Sequence, residues 1–121
     1  KMFNRKRARI ANIYNRYLKG VGDIKTPLLK KNRDHVFHLY VIKTKKRNEL
    51  RKFLTKNNIS SAIHYPICLP MLPVYSKYKY KKTQFKNAYQ NQNDILSLPI
   101  YPELEHAKVK FICKKIKEFF Y

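Results

Sequence analysis

Residues 35–65 read HVFHLYVIKTKKRNELRKFLTKNNISSAIHY. The stretch changes period twice. Residues 35–42 are β-branched and aromatic, the composition of a buried strand. Thr44 then offers an N-cap for a helix running to about Asn57, with Leu50, Phe53 and Leu54 on its inner face. Asn57 and Asn58 end that helix, because asparagine tolerates the left-handed conformation. Residues 59–65 return to a short strand, stopped by Pro66.

Upstream, Ile10, Ile13, Tyr14, Tyr17 and Leu18 fall at i, i+3, i+4, i+7 and i+8, so residues 4–18 read as a helix with one apolar stripe. Gly20 is its stop. Residues 19–34 contain Gly20, Gly22 and Pro27 and read as a loop. Downstream, Pro66, Pro70 and Pro73 make residues 66–82 an irregular loop. Thr83 caps a short helix carrying Phe85, Ala88 and Tyr89, and residues 94–98 form a third strand before Pro99. Val109, Ile112, Cys113, Ile116, Phe119 and Phe120 make a last helical stripe, with Glu103 and Glu105 suited to its positive N-terminal end. The order implies an α+β fold. Its expected form is a two-layer sandwich, a short, mostly antiparallel three-stranded sheet with helices on one face, spanning residues 1–121 as a single domain.

Composition narrows the function. Two glycines cannot build a Walker loop or a dinucleotide fingerprint, both of which need several at close spacing. No apolar run has the roughly 18 residues of a membrane span. The basic start lacks the apolar core of a secretory signal. Cys68 and Cys113 form neither CxxC nor a metal cluster and read as free thiols of a cytoplasmic protein rather than a disulfide. The formal charge of +21, from 28 Lys and Arg against 7 Asp and Glu, favours phosphate-bearing partners and keeps nucleic acid among them.

Several stretches together resemble the C-terminal small domain of the DegT/DnrJ/StrS family of sugar aminotransferases. They are RARIANIY (7–14) with Leu18, HVFHLYVIKTKKRNELRKFL (35–54), NNISSAIHYP (57–66), PVY (73–75) and NDILSLPIYPEL (93–104). The most specific parts are HxxHLYVI, IHYP and SLPxYPEL. The resemblance implies a fold type I enzyme that uses pyridoxal 5′-phosphate to move an amino group from an amino acid such as glutamate to a nucleotide-linked keto sugar. It also implies that the Schiff-base lysine, the acidic partner of the pyridine nitrogen and most of the phosphate cradle lie in a large N-terminal domain missing from this chain, and that the complete enzyme is a homodimer. On that reading the chain is either part of a longer enzyme or a truncated remnant, and no catalyst alone. One loop departs from the family pattern I-P-x-H-x-Q-P-A-Y. Cys68, Pro70 and Leu72 stand where its first proline, its histidine and its glutamine belong. Lys79 and Lys82 replace glycines usual in the family.

By the same resemblance His38, His64, Tyr65 and Tyr75 lie nearest the substrate cleft, with orienting and hydrogen-bonding roles. Read from the residues alone, Tyr65 packs in the core while His64 faces solvent or caps a loop. His35 and His38 stand three apart on a strand, so they point to opposite faces and cannot share a metal ion; His38 is placed to hydrogen-bond across to the strand of His64. His106, at the start of the last helix, reads as a surface residue. YSKYKYKK (75–82) alternates rings with lysines, a pattern that can stack bases and meet phosphates. A solvated loop is its commoner explanation. A small basic nucleic-acid-binding module is thus the alternative function, and an inactive gene remnant the third. An exposed apolar surface along the first helix and one sheet edge would mark a missing neighbouring domain.

Overall fold

The computed structural model describes all residues, Lys1–Tyr121. Four helices, α1 (Met2–Leu18), α2 (Arg47–Lys56), α3 (Lys86–Asp94) and α4 (His106–Phe120), accompany two strands, β1 (Tyr40–Lys43) and β2 (Ile95–Leu98). The strands pair antiparallel, with Tyr40 opposite Leu98 and Ile42 opposite Leu96.

The expected three-stranded sheet is therefore corrected to two strands, flanked by single bridges. Lys25 pairs with Lys43 on the outer edge of β1, and Ala62 pairs with Ser97 on the outer edge of β2. Both ends of the 59–65 segment are used for other purposes. The Ile59 amide donates to Leu54 O at 2.9 Å and the Asn58 amide to Thr55 O at 3.1 Å, which closes α2 in a Schellman motif. Asn58 takes the left-handed φ of 58° that this closure needs, as its residue type suggested. Pro66 follows too soon for a full strand.

The strand expected over 35–42 likewise begins only at Tyr40. The His35 ring turns back, its Nδ1 accepting the Phe37 amide at 2.9 Å, and Phe37 sits at φ 48°. That local turn removes the first five residues from the sheet.

The alternation of side chains along the two strands sorts the molecule into layers. Tyr40, Ile42, Leu96 and Leu98 point one way and are fully or almost fully buried. They share one core with Ile10, Tyr14 and Leu18 of α1, Leu50 and Leu54 of α2, and Val109, Ile112 and Ile116 of α4. The stripes read from sequence are thus the buried faces. Tyr14 joins the layers. Its ring stacks on Tyr40 with centroids 4.7 Å apart, and its hydroxyl donates to the Pro99 carbonyl at 2.9 Å. Burial raises both phenols well above the usual range, so both remain protonated donors. Val41, Lys43, Ile95 and Ser97 face the other way; of these Lys43 is exposed, Val41 and Ile95 are half-buried and Ser97 is buried.

The loop after α1 fixes the start of α2. Thr44 lies ahead of α2 rather than directly at its cap. Its hydroxyl donates to one oxygen of Asp23, and the Lys45 amide donates to the other at 2.7 Å. Burial would raise the Asp23 pKa, but these two bonds to the carboxylate outweigh it, and the net shift is downward. Because the folded value lies below the unfolded one, Asp23 contributes stability that is complete above the unfolded value and lost as pH falls through the folded value. Asp23→Asn is expected to flatten the acid limb of a stability-versus-pH curve below about pH 4. Urea melts of both proteins at stepped pH would check this; parallel curves would contradict it.

Residues 66–85 form no sheet. They run through three short 3₁₀ turns, Leu69–Met71, Pro73–Tyr78 and Lys82–Phe85, before α3. The expected helix cap at Thr83 falls inside the last of these turns, and α3 starts three residues later. None of these turns nor α3 buries a residue fully.

Candidate functional site: the uncovered face of the sheet

The polar groups of interest gather on the face that the helices leave open. Ser97, between Leu96 and Leu98, must point away from the core, and it is 5% exposed. Both its backbone groups bond Ala62, at 2.8 and 3.1 Å. That pairing brings the 60–65 segment alongside, so that His64 Nδ1 lies 2.9 Å from Ser97 Oγ. Together with Ser61, Leu39, Pro99 and Tyr101 they line a cleft of about 280 Å³. Ser61 Oγ is buried there without a hydrogen-bond partner.

The four expected cleft residues divide. His64 is half-buried, and Tyr65, 74% exposed, meets it edge to face with ring centroids 6.0 Å apart. This reverses the residue-only expectation that Tyr65 would enter the core. His38 is exposed and makes no hydrogen bond to the His64 segment, because residues 35–39 are not in the strand that would have aligned them. Tyr75 belongs to a separate cluster, its ring 6.4 Å from Tyr78. His106 is exposed, as read. Ser97 and Ser61 are the residues the sequence reading missed. The alternation Leu96-Ser97-Leu98 was the available signal for Ser97.

Two further cavities adjoin this face. A polar one of about 590 Å³ is lined by Asp23, Lys25, Lys43, Lys45, Asn93 and Asp94. A more apolar one of about 560 Å³ lies over Leu18, Ile24, Pro27, Leu28 and Val41. Leu28 is 94% exposed, and Leu29 and Val36 are exposed beside the same loop. Tyr65, Ile67, Leu69 and Val74 are also exposed, in the run that follows the Ala62 bridge, while Phe111 on α4 and the terminal Tyr121 are exposed elsewhere. Along the first helix only Met2 and Phe3, at its start, are bare. The expected apolar surface is present beside the sheet and absent along most of α1.

The rings of the tyrosine–lysine run are exposed but already in contact with one another. Tyr78 and Tyr80 stack on each other at 5.5 Å, Phe85 abuts Tyr80 edge-on at 5.4 Å, and Lys77 sits 5.1 Å over Tyr78. Cys68 and Cys113 are free, and burial pushes the Cys113 thiol up to about 12. No group of three or more metal-ligating side chains exists, and no helix is long and apolar enough to cross a membrane.

Residues 1–117 match the model of the DegT/DnrJ/EryC1/StrS aminotransferase family. The chain is 38% identical over 116 residues to a "pleiotropic regulatory protein" of Geobacillus stearothermophilus, covering 94% of this chain and 31% of that protein. It is 29% identical to a dTDP-3-amino-3,4,6-trideoxy-alpha-D-glucose transaminase of Streptomyces venezuelae, covering 97% of this chain and 31% of that one. The crystal structure of S. venezuelae DesV in complex with a ketimine intermediate superposes with a TM-score of 0.90 at 29% identity, over 96% of this chain and 31% of DesV. The chain thus spans about a third of the length of the proteins it matches.

Proposed function

The chain belongs to the DegT/DnrJ/EryC1/StrS aminotransferase family, and from that premise we propose that it is the C-terminal small domain of a nucleotide-sugar aminotransferase dependent on pyridoxal 5′-phosphate. One observation carries the reading. The sheet face turned away from the helical core is only partly covered, in a chain of which 96% superposes on about a third of DesV. Val41, Ile95, Ser97 and His64 lie on that face, with bare leucines beside it. A surface of this kind is completed by another polypeptide segment. Its role is to close over the larger domain, exclude water and roof the sugar cleft. The complete enzyme is expected to work in the cytoplasm as a homodimer on a nucleotide-linked keto sugar, with an amino acid such as glutamate as donor.

The residues of this chain do not themselves fit the cofactor. A pyridoxal phosphate site needs, in one cavity, an amine for the Schiff base, a carboxylate for the pyridine nitrogen and donors for the phosphate. The cavity with lysines and carboxylates comes nearest, but its acids are engaged. Asp23 holds the start of α2, and Asp94 pairs with Lys45 at 2.7 Å. What the uncovered face supplies is orientation: the His64 imidazole and the Ser61 hydroxyl offer directional hydrogen bonds to a polar ligand.

The chain alone is expected to bind no cofactor and to transfer no amino group. Mixed with the polypeptide encoded immediately upstream, it is expected to give the visible absorbance of enzyme-bound pyridoxal phosphate and glutamate-dependent transamination of a keto sugar. Cofactor bound by this chain unaided, or an upstream polypeptide without a lysine-bearing large domain, would overturn the proposal.

A further inference from the structure

The Ser97 hydroxyl has one hydrogen-bond partner, His64 Nδ1 at 2.9 Å, and sits on a residue that is 5% exposed. Its backbone amide and carbonyl are both committed to Ala62. A buried hydroxyl proton without an acceptor is costly, and Nδ1 is the only acceptor this one reaches. We infer that Ser97 donates to Nδ1 and so holds His64 in the tautomer that carries its proton on Nε2, making His64 a fixed hydrogen-bond donor to an oxygen of the ligand in this cleft.

The tautomer follows from the arrangement of the two side chains. With Nδ1 occupied as an acceptor, the neutral ring has its N–H at Nε2. Nε2 has no partner within the chain. Ser61 Oγ, in the same cleft, has none either. One N–H donor and one hydroxyl, both unengaged, suit an oxygen-bearing group, either a sugar hydroxyl or carbonyl or a phosphate oxygen. Hydrophobic Leu39, Pro99 and Ile100 line the rest of the cleft, whose 280 Å³ holds a single ring rather than a whole nucleotide sugar. Ser97 is a positioning residue: it acts through the imidazole and need not touch the ligand. That the oxygen belongs to the keto-sugar substrate rests on the reading proposed above; the tautomer does not.

The test is imidazole ¹⁵N spectroscopy of this chain above the titration range of histidine, with His64 assigned by His64→Gln. The wild type is expected to show an unprotonated Nδ1 and a protonated Nε2, without averaging. Ser97→Ala is expected to move both shifts toward tautomer-averaged values. Ser97→Thr, which keeps the hydroxyl, is expected to restore them. A wild-type ring protonated at Nδ1, or shifts indifferent to Ser97→Ala in a folded variant, would overturn the assignment; the wild-type spectrum decides even if Ser97→Ala does not fold. Titration with inorganic phosphate and, separately, with a neutral methyl glycoside then identifies the oxygen. Movement of Nε2 by either supports the donor role and names its source, whereas movement by neither refutes that role. If the tautomer holds while the mixture with an upstream polypeptide stays inactive, the aminotransferase reading fails and the positioning of His64 by Ser97 survives.

Discussion

Tyr40→Ala is expected to destabilise the chain by about 3–5 kcal/mol, the cost of removing a large buried aromatic and leaving a cavity. Tyr40 is fully buried at the start of β1, where the two layers meet. Its ring takes the Tyr14 stack at 4.7 Å and packs toward Phe37 at 6.3 Å. Its hydroxyl donates to Asn15 Oδ1 at 2.6 Å, so one residue ties β1 to α1 through both an apolar face and a polar tip. A domain of this length has a total stability of about 5–15 kcal/mol, so the loss is a large part of the whole. Urea denaturation followed by circular dichroism would measure it. Tyr40→Phe separates the two contributions, since it keeps the stack and loses only the Asn15 bond, at a cost of about 1 kcal/mol. If Tyr40→Ala cost no more than Tyr40→Phe, the ring would not be the junction described here.

That junction shows which parts of the fold a sequence can disclose. The helices were legible because their information is local. Leu50 and Leu54 on α2, and Val109, Ile112, Cys113 and Ile116 on α4, announce the buried face by spacing alone, and each is buried. The strands were read too long for an equally physical reason. HVFHLYVI has strand composition throughout, but the His35 ring captures the Phe37 amide and turns the chain at a left-handed residue. Side-chain capture of a backbone amide is invisible to composition, because it competes with the sheet residue by residue. ISSAIHY was over-read because its first residue already serves the α2 cap. At the candidate site, the motif IHYP pointed to His64 and Tyr65; His64 lines the cleft, whereas Tyr65 is largely exposed and is not among its lining residues. Ser97 lies 33 residues from His64 along the chain. Only the pairing of Ala62 with Ser97 brings them together, and strand register is a property of the folded sheet.

The same dependence on distant pairing sets the second large effect, at Gly22. A Cβ built there would run into the Phe120 ring, and Gly22 also has a φ of 50°. Gly22→Ala is therefore expected to cost about 3 kcal/mol, combining overpacking with a left-handed alanine. The ring cannot swing clear without loss. It packs edge-on against Phe119 at 4.9 Å, and the next residue is latched to the same loop. The Tyr121 hydroxyl donates to Gly20 O at 3.1 Å and accepts the Gly22 amide at 3.4 Å. The clash and the strain separate in a double-mutant cycle with Phe120→Ala. With the ring removed, Gly22→Ala should cost only its backbone term, about 1–2 kcal/mol. A Gly22→Ala penalty that is unchanged in the Phe120→Ala background would show that the ring moves away freely. The Phe120 ring would then not brace the end of α4 against the loop that leads from α1 toward the sheet, leaving only the Tyr121 bonds to hold it. If the penalty shrinks as expected, the C-terminus of α4 is braced against the turn that also delivers Asp23 to the start of α2 and Lys25 to the edge of β1. Elements distant in sequence are then held together by one loop, which sets where α2, α4 and the edge of the sheet lie relative to one another.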